Sequence, residues 1–276
     1  MNPHARLPAS PLFLLQMLWT HRRLIAQMSR REVVGRYRGS ILGLTWSFFN
    51  PLLMLLIYTF VFGVVFKARW SEGGDLSQSQ FALLLFTGMI VHGLIAECLV
   101  RAPDLIVNQV NYVKKVVFPL ETLSVVVWIS AIFHTLVSIV ALLVAMALIR
   151  GSVPPTAPLF VLVLTPLAIG TLGMAWILSS LGVFVRDISQ TIGLLMTILL
   201  FVSPIFFPLS ALPPEFRPWV ALNPLTFFIE QARNVVIWGV LPDWSGLAVR
   251  MVAACAFACF GYWWFQRTRK GFGDVL

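Results

Sequence analysis

The chain has 276 residues, 59% of them hydrophobic and 11% charged, against about 25% charged in ordinary soluble domains. With a mean hydropathy of +0.87, this composition excludes a soluble globular protein and reads as a polytopic membrane protein. One membrane domain, residues 1–276, accounts for the length. The net charge of +9 forms no long basic patch for nucleic acid, because the Lys and Arg residues flank apolar runs, as the positive-inside rule expects.

Arg6 and the apolar stretch 12–19 superficially resemble a signal peptide. That run is short, and His21-Arg22-Arg23 stand where small residues should mark cleavage, so the segment reads as retained. Residues 12–34 carry a helical period, with Leu14, Leu18, Ile25 and Met28 on one face. Gln16, Thr20, Arg23, Gln27, Arg30 and Arg31 fall on the other. Such an amphipathic helix suits the inner membrane surface, where anionic lipid attracts it; the alternative is a solvated helix packed on a partner.

Residues 41–66 then run without one charged side chain. As a helix they extend ~39 Å, enough for a ~30 Å hydrocarbon core with tilt. The basic cluster before them stays in the cytoplasm, since each Arg near the bilayer centre costs ~2.5–3.5 kcal/mol. A polar turn over 67–79 leads to a second span, 81–100, which carries His92 and Glu97. Residues 101–121 interrupt, and within them 104–117 read as a short helix with Ile106, Val110, Val113 and Val117 on one side. The third span is 122–149, closed by Arg150-Gly151 and Pro154-Pro155; the fourth is 157–185, softened by Pro166, Gly170, Gly173 and Gly182. The fifth is 191–207, broken near its end by Pro204 and Pro208. Residues 210–246 are too polar to span simply. Their apolar part, 225–240, would make only ~24 Å of helix, so a re-entrant or interfacial pair fits better. The last span is 247–265. The fold class is therefore an all-α membrane protein of six spans, with an amphipathic interfacial helix at its start. Six spans put both ends on one side, and 14 of the 20 Lys and Arg residues fall there, which makes that side cytoplasmic.

Cys98, Cys255 and Cys259 lie in apolar segments without a Cys-x-x-Cys pair or His/Cys cluster, so metal and disulfide readings find no support. No Gly-x-x-x-x-Gly-Lys-Ser/Thr loop, triad or carboxylate dyad is present. Energy for active transport would come from a partner or an ion gradient. Only Glu97, His92 and His134 lie clearly within spans. Glu97 stands four residues before Arg101, a spacing for a local ion pair, with a proton relay as the alternative.

Arg36-Tyr37-Arg38-Gly39-Ser40-Ile41-Leu42-Gly43, followed by Trp46-Ser47-Phe48-Phe49-Asn50-Pro51, resembles the start of ABC-2-type polysaccharide exporter permeases. Glu97 with Arg101, Val107-Asn108, and the run from Asn111 to Pro119 follow in the family's order. So do Arg186-Asp187, the run from Ser203 to Ser210, the run from Ala221 to Leu225, and the segment from Arg269 to Leu276. The pattern is closer to O-antigen-type permeases than to the classical group 2 capsule branch. The resemblance implies a homodimer with two cytoplasmic ATPase subunits, which carry ATP and Mg, driving a lipid-linked polysaccharide across the bacterial inner membrane. No cofactor is expected in this chain. It also implies a coupling helix over 104–117, with Asp104, Asn108, Asn111, Lys114 and Lys115 toward the ATPase, and short periplasmic gate helices over 210–246 between the fifth and sixth spans.

A polysaccharide path calls for aromatic rings, because the C–H face of a pyranose stacks on them weakly and can slide. Trp46, Phe49 and Tyr58 on the first span, and Phe201, Phe206 and Phe207 on the fifth, are the candidates. Interfacial belts and lipid-facing positions are the alternative for each. Two other functions compete: an ABC-2 exporter of a small molecule such as a drug or haem, and a membrane enzyme acting on lipid-linked sugar. The enzyme would need an acid/base pair near an interface, and none stands out.

Overall fold

The computed structural model describes residues 10–65, 78–114 and 118–276. Every regular element among them is helical. Among the described residues five helices are long and apolar enough to cross a membrane, which makes the protein multi-pass.

The amphipathic segment forms two helices, α1 (Pro11–Thr20) and α2 (Arg22–Arg36), with a break at His21. Its pattern holds on α2, where Ile25, Ser29 and Val33 are buried and Arg23, Gln27, Arg30 and Arg31 are exposed. Gly39 (φ +86°) and Gly43 (φ +49°) take left-handed conformations in the turn that follows, which an L side chain would strain. That turn delays the first spanning helix. A 3-10 turn at Gly43–Thr45 leads into α3 (Trp46–Tyr58), which continues as a π-helix over Thr59–Val65. The helix thus starts inside the expected 41–66, and of the polar turn expected over 67–79, residues 67–77 lie outside the described residues.

The second span is α4 (Gln78–Arg101), the most enclosed of the five long apolar helices. It packs against α3, α7 (Glu121–Arg150), α8 (Leu159–Phe184), α9 (Ile188–Val202) and α11 (Pro224–Arg233). Beyond α4 the chain forms two short helices, α5 (Asp104–Val107) and α6 (Val110–Lys114), parted by a turn at Asn108 and Gln109. The single helix expected over 104–117 is therefore two; Val117 and Lys115 lie outside the described residues. Ile106 is fully buried, with Val107 and Val113 packed on the same cluster.

The fifth span is shorter than its sequence reading. Helix α9 stops at Val202 because Ser203 is extended (ψ 150°), the backbone that a residue preceding proline prefers. Fifteen residues give about 22 Å, below the ~30 Å of a hydrocarbon core. After it come a 3-10 turn, α10 (Arg217–Leu222), α11, and a π-turn at Asn234–Trp238 that ends at Gly239 (φ +70°). The stretch 225–240 is thus a short helix and a turn, with Leu225, Phe228, Ile229 and Ala232 buried. Helix α12 (Trp244–Thr268) starts at Asp243, whose carboxylate accepts from the Gly246 amide and the Ser245 hydroxyl, and α13 (Phe272–Val275) follows it. Those bonds, the Gly246 amide first, hold the Asp243 carboxyl below its ordinary pKa.

The tightest crossing joins α8 to α12. A Cβ built on Gly261 would stand 2.2 Å from the Gly173 carbonyl oxygen, and one on Gly173 would stand 2.8 Å from the Ala258 Cα. These glycines let two backbones touch, the means by which helices associate where lipid removes the hydrophobic drive. Gly182 likewise admits Pro103, whose carbonyl oxygen would lie 2.1 Å from an added Cβ. Gly173 and Gly182 are contact positions rather than points of softening. Gly261→Val should cost ~1–3 kcal/mol by overpacking and lower the melting temperature in micelles. Gly35→Ala, at a site with nothing within 4 Å, should leave that temperature unchanged or raise it.

Candidate functional site

Four helices place charged and polar side chains around one cleft of about 250 Å³. Arg36 and Tyr37 come from the end of α2, Asn50 and Tyr58 from α3, Glu97 from α4, and His134 and Ser138 from α7. The Glu97 carboxylate is the hub. Arg36 Nη2 approaches it to 2.9 Å and His134 Nδ1 to 2.7 Å. His134 Nε2 stands 3.2 Å from the Tyr37 hydroxyl. A neutral ring with its proton on Nδ1 meets both contacts, donating to Glu97 and accepting from Tyr37. Burial, more than any neighbouring charge, raises the Tyr37 pKa above its ordinary value, which keeps the hydroxyl a donor.

Glu97 does not pair with Arg101. Arg101 bonds to Glu32 on α2, so Glu32 and Arg36 on one helix meet Arg101 and Glu97 on the other. A local pair spaced by four residues contributes only ~0.3–0.5 kcal/mol. An unmatched charge at membrane depth costs several times more, and the cross pairs neutralise all four groups while binding α2 to α4. Deeper in α4, His92 Nε2 lies 2.9 Å from the Met196 carbonyl of α9.

A second polar centre holds the C-terminal end of α9. Arg233, 1% exposed, donates from Nη1 to the Pro204 carbonyl (2.7 Å) and from Nη2 to the Ile205 carbonyl (2.8 Å). It also contacts the Leu84 carbonyl and the Glu230 carboxylate, each at 3.4 Å. Asn223 Nδ2 donates to Ser203 Oγ at 2.9 Å. The guanidinium satisfies carbonyls that the broken helix leaves without amide partners. The sequence signal was an Arg within an apolar stretch, but not what it would hold.

The aromatic candidates separate into two groups. Trp46 and Phe49 are exposed on α3, while Tyr58 is half-buried at the cleft. Phe201 is exposed on α9 and stacks on half-buried Phe206 (centroids 5.7 Å, 28° between planes), with Phe207 half-buried beside it. Helices α3 and α9 each pack on α4 rather than on one another. At the opposite end Asp104, Asn108, Asn111 and Lys114 are all exposed on the α5–α6 segment, and Lys115 lies outside the described residues.

The cleft is polar enough to hold water, whereas Cys98 in the same helix is fully buried. With Cys255 and Cys259 replaced by serine, a Ser138→Cys variant should react with a small water-soluble thiol reagent within minutes. Native Cys98 should resist it. Labelling of Cys98 with protection of position 138 would contradict this geometry.

Residues 23–237 match the family described as ABC-2 type transporter. An O-antigen export system permease protein, RfbA, from Myxococcus xanthus is 27% identical over 95% of this chain and 99% of its own length. A permease of the same name from Klebsiella pneumoniae is 24% identical over 92% of this chain and 95% of its own. The polysialic acid transport protein KpsM of Escherichia coli is 25% identical over 77% of this chain and 81% of its own. A family match across most of the chain, on an all-helical multi-pass fold, shows that this protein belongs to the ABC-2 type transporter family.

Proposed function

We propose that the chain is the permease subunit of an exporter that carries a lipid-linked polysaccharide across the bacterial inner membrane. The observation that carries this reading is the end-to-end similarity to O-antigen export permeases, which spans 99% of one relative. The polysialic acid transport relative covers less of the chain, which favours an O-antigen-like polymer.

Export against a gradient needs energy, and in this reading two ATPase subunits supply it from the cytoplasm through the α5–α6 segment. Both ends of the chain then lie inside the cell, a placement supported by the 14 basic residues on that side. Helix α9 and residues 203–208 complete the fifth crossing together, and α10 and α11 re-enter from outside to shield the exit. Two permeases form the channel. Only 11% of the α3 span is buried within one protomer, against 72% of α4, so α3 has surface left for a second copy or for lipid. The rings of Trp46, Phe49, Tyr58, Phe201, Phe206 and Phe207 line the path.

In cells lacking this gene, the wild-type chain should restore surface polysaccharide only when its ATPase is present. The double variant Phe206→Ala/Phe207→Ala should lower that polysaccharide several-fold while the ATPase still co-purifies with it. Normal surface polysaccharide in the gene-deleted cells would remove the proposed function; wild-type export by the double variant would remove these two rings from the path.

A further inference from the structure

The segment following α12 packs beside α6. Arg269 Nη1 is 2.8 Å from the Glu121 carboxylate, and its Nη2 donates to the Phe118 carbonyl at 3.0 Å. The Glu121 side chain is only 2% exposed, so the guanidinium meets a carboxylate that water does not solvate. Three residues further on, Phe272 is fully buried, with its ring against Phe184 (5.9 Å) and Phe265 (5.5 Å). Helix α13 touches α6, and Tyr112 stacks on Phe118 at 4.5 Å within the same apolar cluster. The α5–α6 helices are four and five residues long, too short to hold a shape by backbone bonds alone. Their position is therefore set by what they pack on, α8 for α5 and α13 for α6, and Arg269 with Glu121 fixes the Phe118 carbonyl just beyond α6.

We propose that residues 269–276 are a tie that sets the position of the α5–α6 segment, with Arg269 the positioning residue through which the ATPase's movement reaches the spanning helices. This rests on the reading of α5–α6 as the contact with the ATPase. A buried pair suits the task better than a surface one. Removing one partner leaves an uncompensated charge, so the segment has one stable seat rather than several.

The test uses the permease–ATPase complex in proteoliposomes with its polysaccharide substrate, comparing wild type, Arg269→Met, Arg269→Lys and, as a control, Arg267→Met at the exposed neighbouring cation. Arg269→Met should keep the ATPase bound and hydrolysing ATP within about twofold of wild type. The ATP spent per polymer exported should rise at least several-fold, and amide exchange over 104–114 should quicken tenfold or more while that over 188–193 stays unchanged. Arg269→Lys, which keeps the charge, should restore part of both, and Arg267→Met should match wild type. Unchanged stoichiometry and exchange in Arg269→Met would overturn the proposal. So would export, hydrolysis and assembly falling together, which is the signature of a general folding defect. Absence of ATP-driven export in the wild-type complex would instead overturn the underlying function and leave the exchange result to judge the tie.

Discussion

A carboxylate within an apolar helix has to be answered by a charge from elsewhere, and in this protein that requirement joins the surface helix to the membrane-spanning core. Glu97 draws Arg36 from α2 and His134 from α7, while Arg101 draws Glu32. Without these pairs, α2 would be held to the core mainly by Ile25, Val33 and the residues beside them. With them, it is registered against α4 at two points four residues apart on each helix. The same rule governs the opposite end, where buried Arg233 takes up the carbonyls left open where α9 breaks. Polar residues here mark the joints between helices.

These joints explain how a chain with little enclosed surface on α3 and α9 can still have a defined shape. The rigid part is α4 with α7, α8 and α11, and the α8–α12 crossing is fixed by glycine contact. The two more exposed helices are each tied at one end: α3 through the turn that follows α2, and α9 through Arg233 and Asn223. A subunit built this way presents exposed apolar faces on an enclosed frame. The α5–α6 segment is seated in the same manner, resting on residues from α7, α8, α12 and α13.

Much of this was legible in the sequence. The apolar lengths marked the helices now seen as α4, α7, α8 and α12, and the motif order marked the family. The early stop of α9 was legible too, since Pro204 pushes Ser203 into extended backbone, yet the apolar run through Phe207 outweighed that cue. The partner of Glu97 was not legible. Its spacing to Arg101 fits a local pair, and nothing local says that Arg36, 61 positions earlier, would arrive instead. In hindsight, two Glu-to-Arg steps of four, at Glu32–Arg36 and Glu97–Arg101, are the matching halves of one antiparallel ladder. Gly173 and Gly261 show the same limit. Small residues advertise a close contact but do not name the partner. No proline or glycine marks the break at His21.

The most direct test is a double-mutant cycle on Arg36→Met and Glu97→Gln, read by thermal unfolding in lipid nanodiscs. If the cross pair registers α2 on the core, each single variant should lower the melting temperature. The double variant should then lose less than the sum, by a coupling of ~0.5–3 kcal/mol. Strictly additive losses would mean that Arg36 and Glu97 act independently and that α2 is held by its apolar face alone.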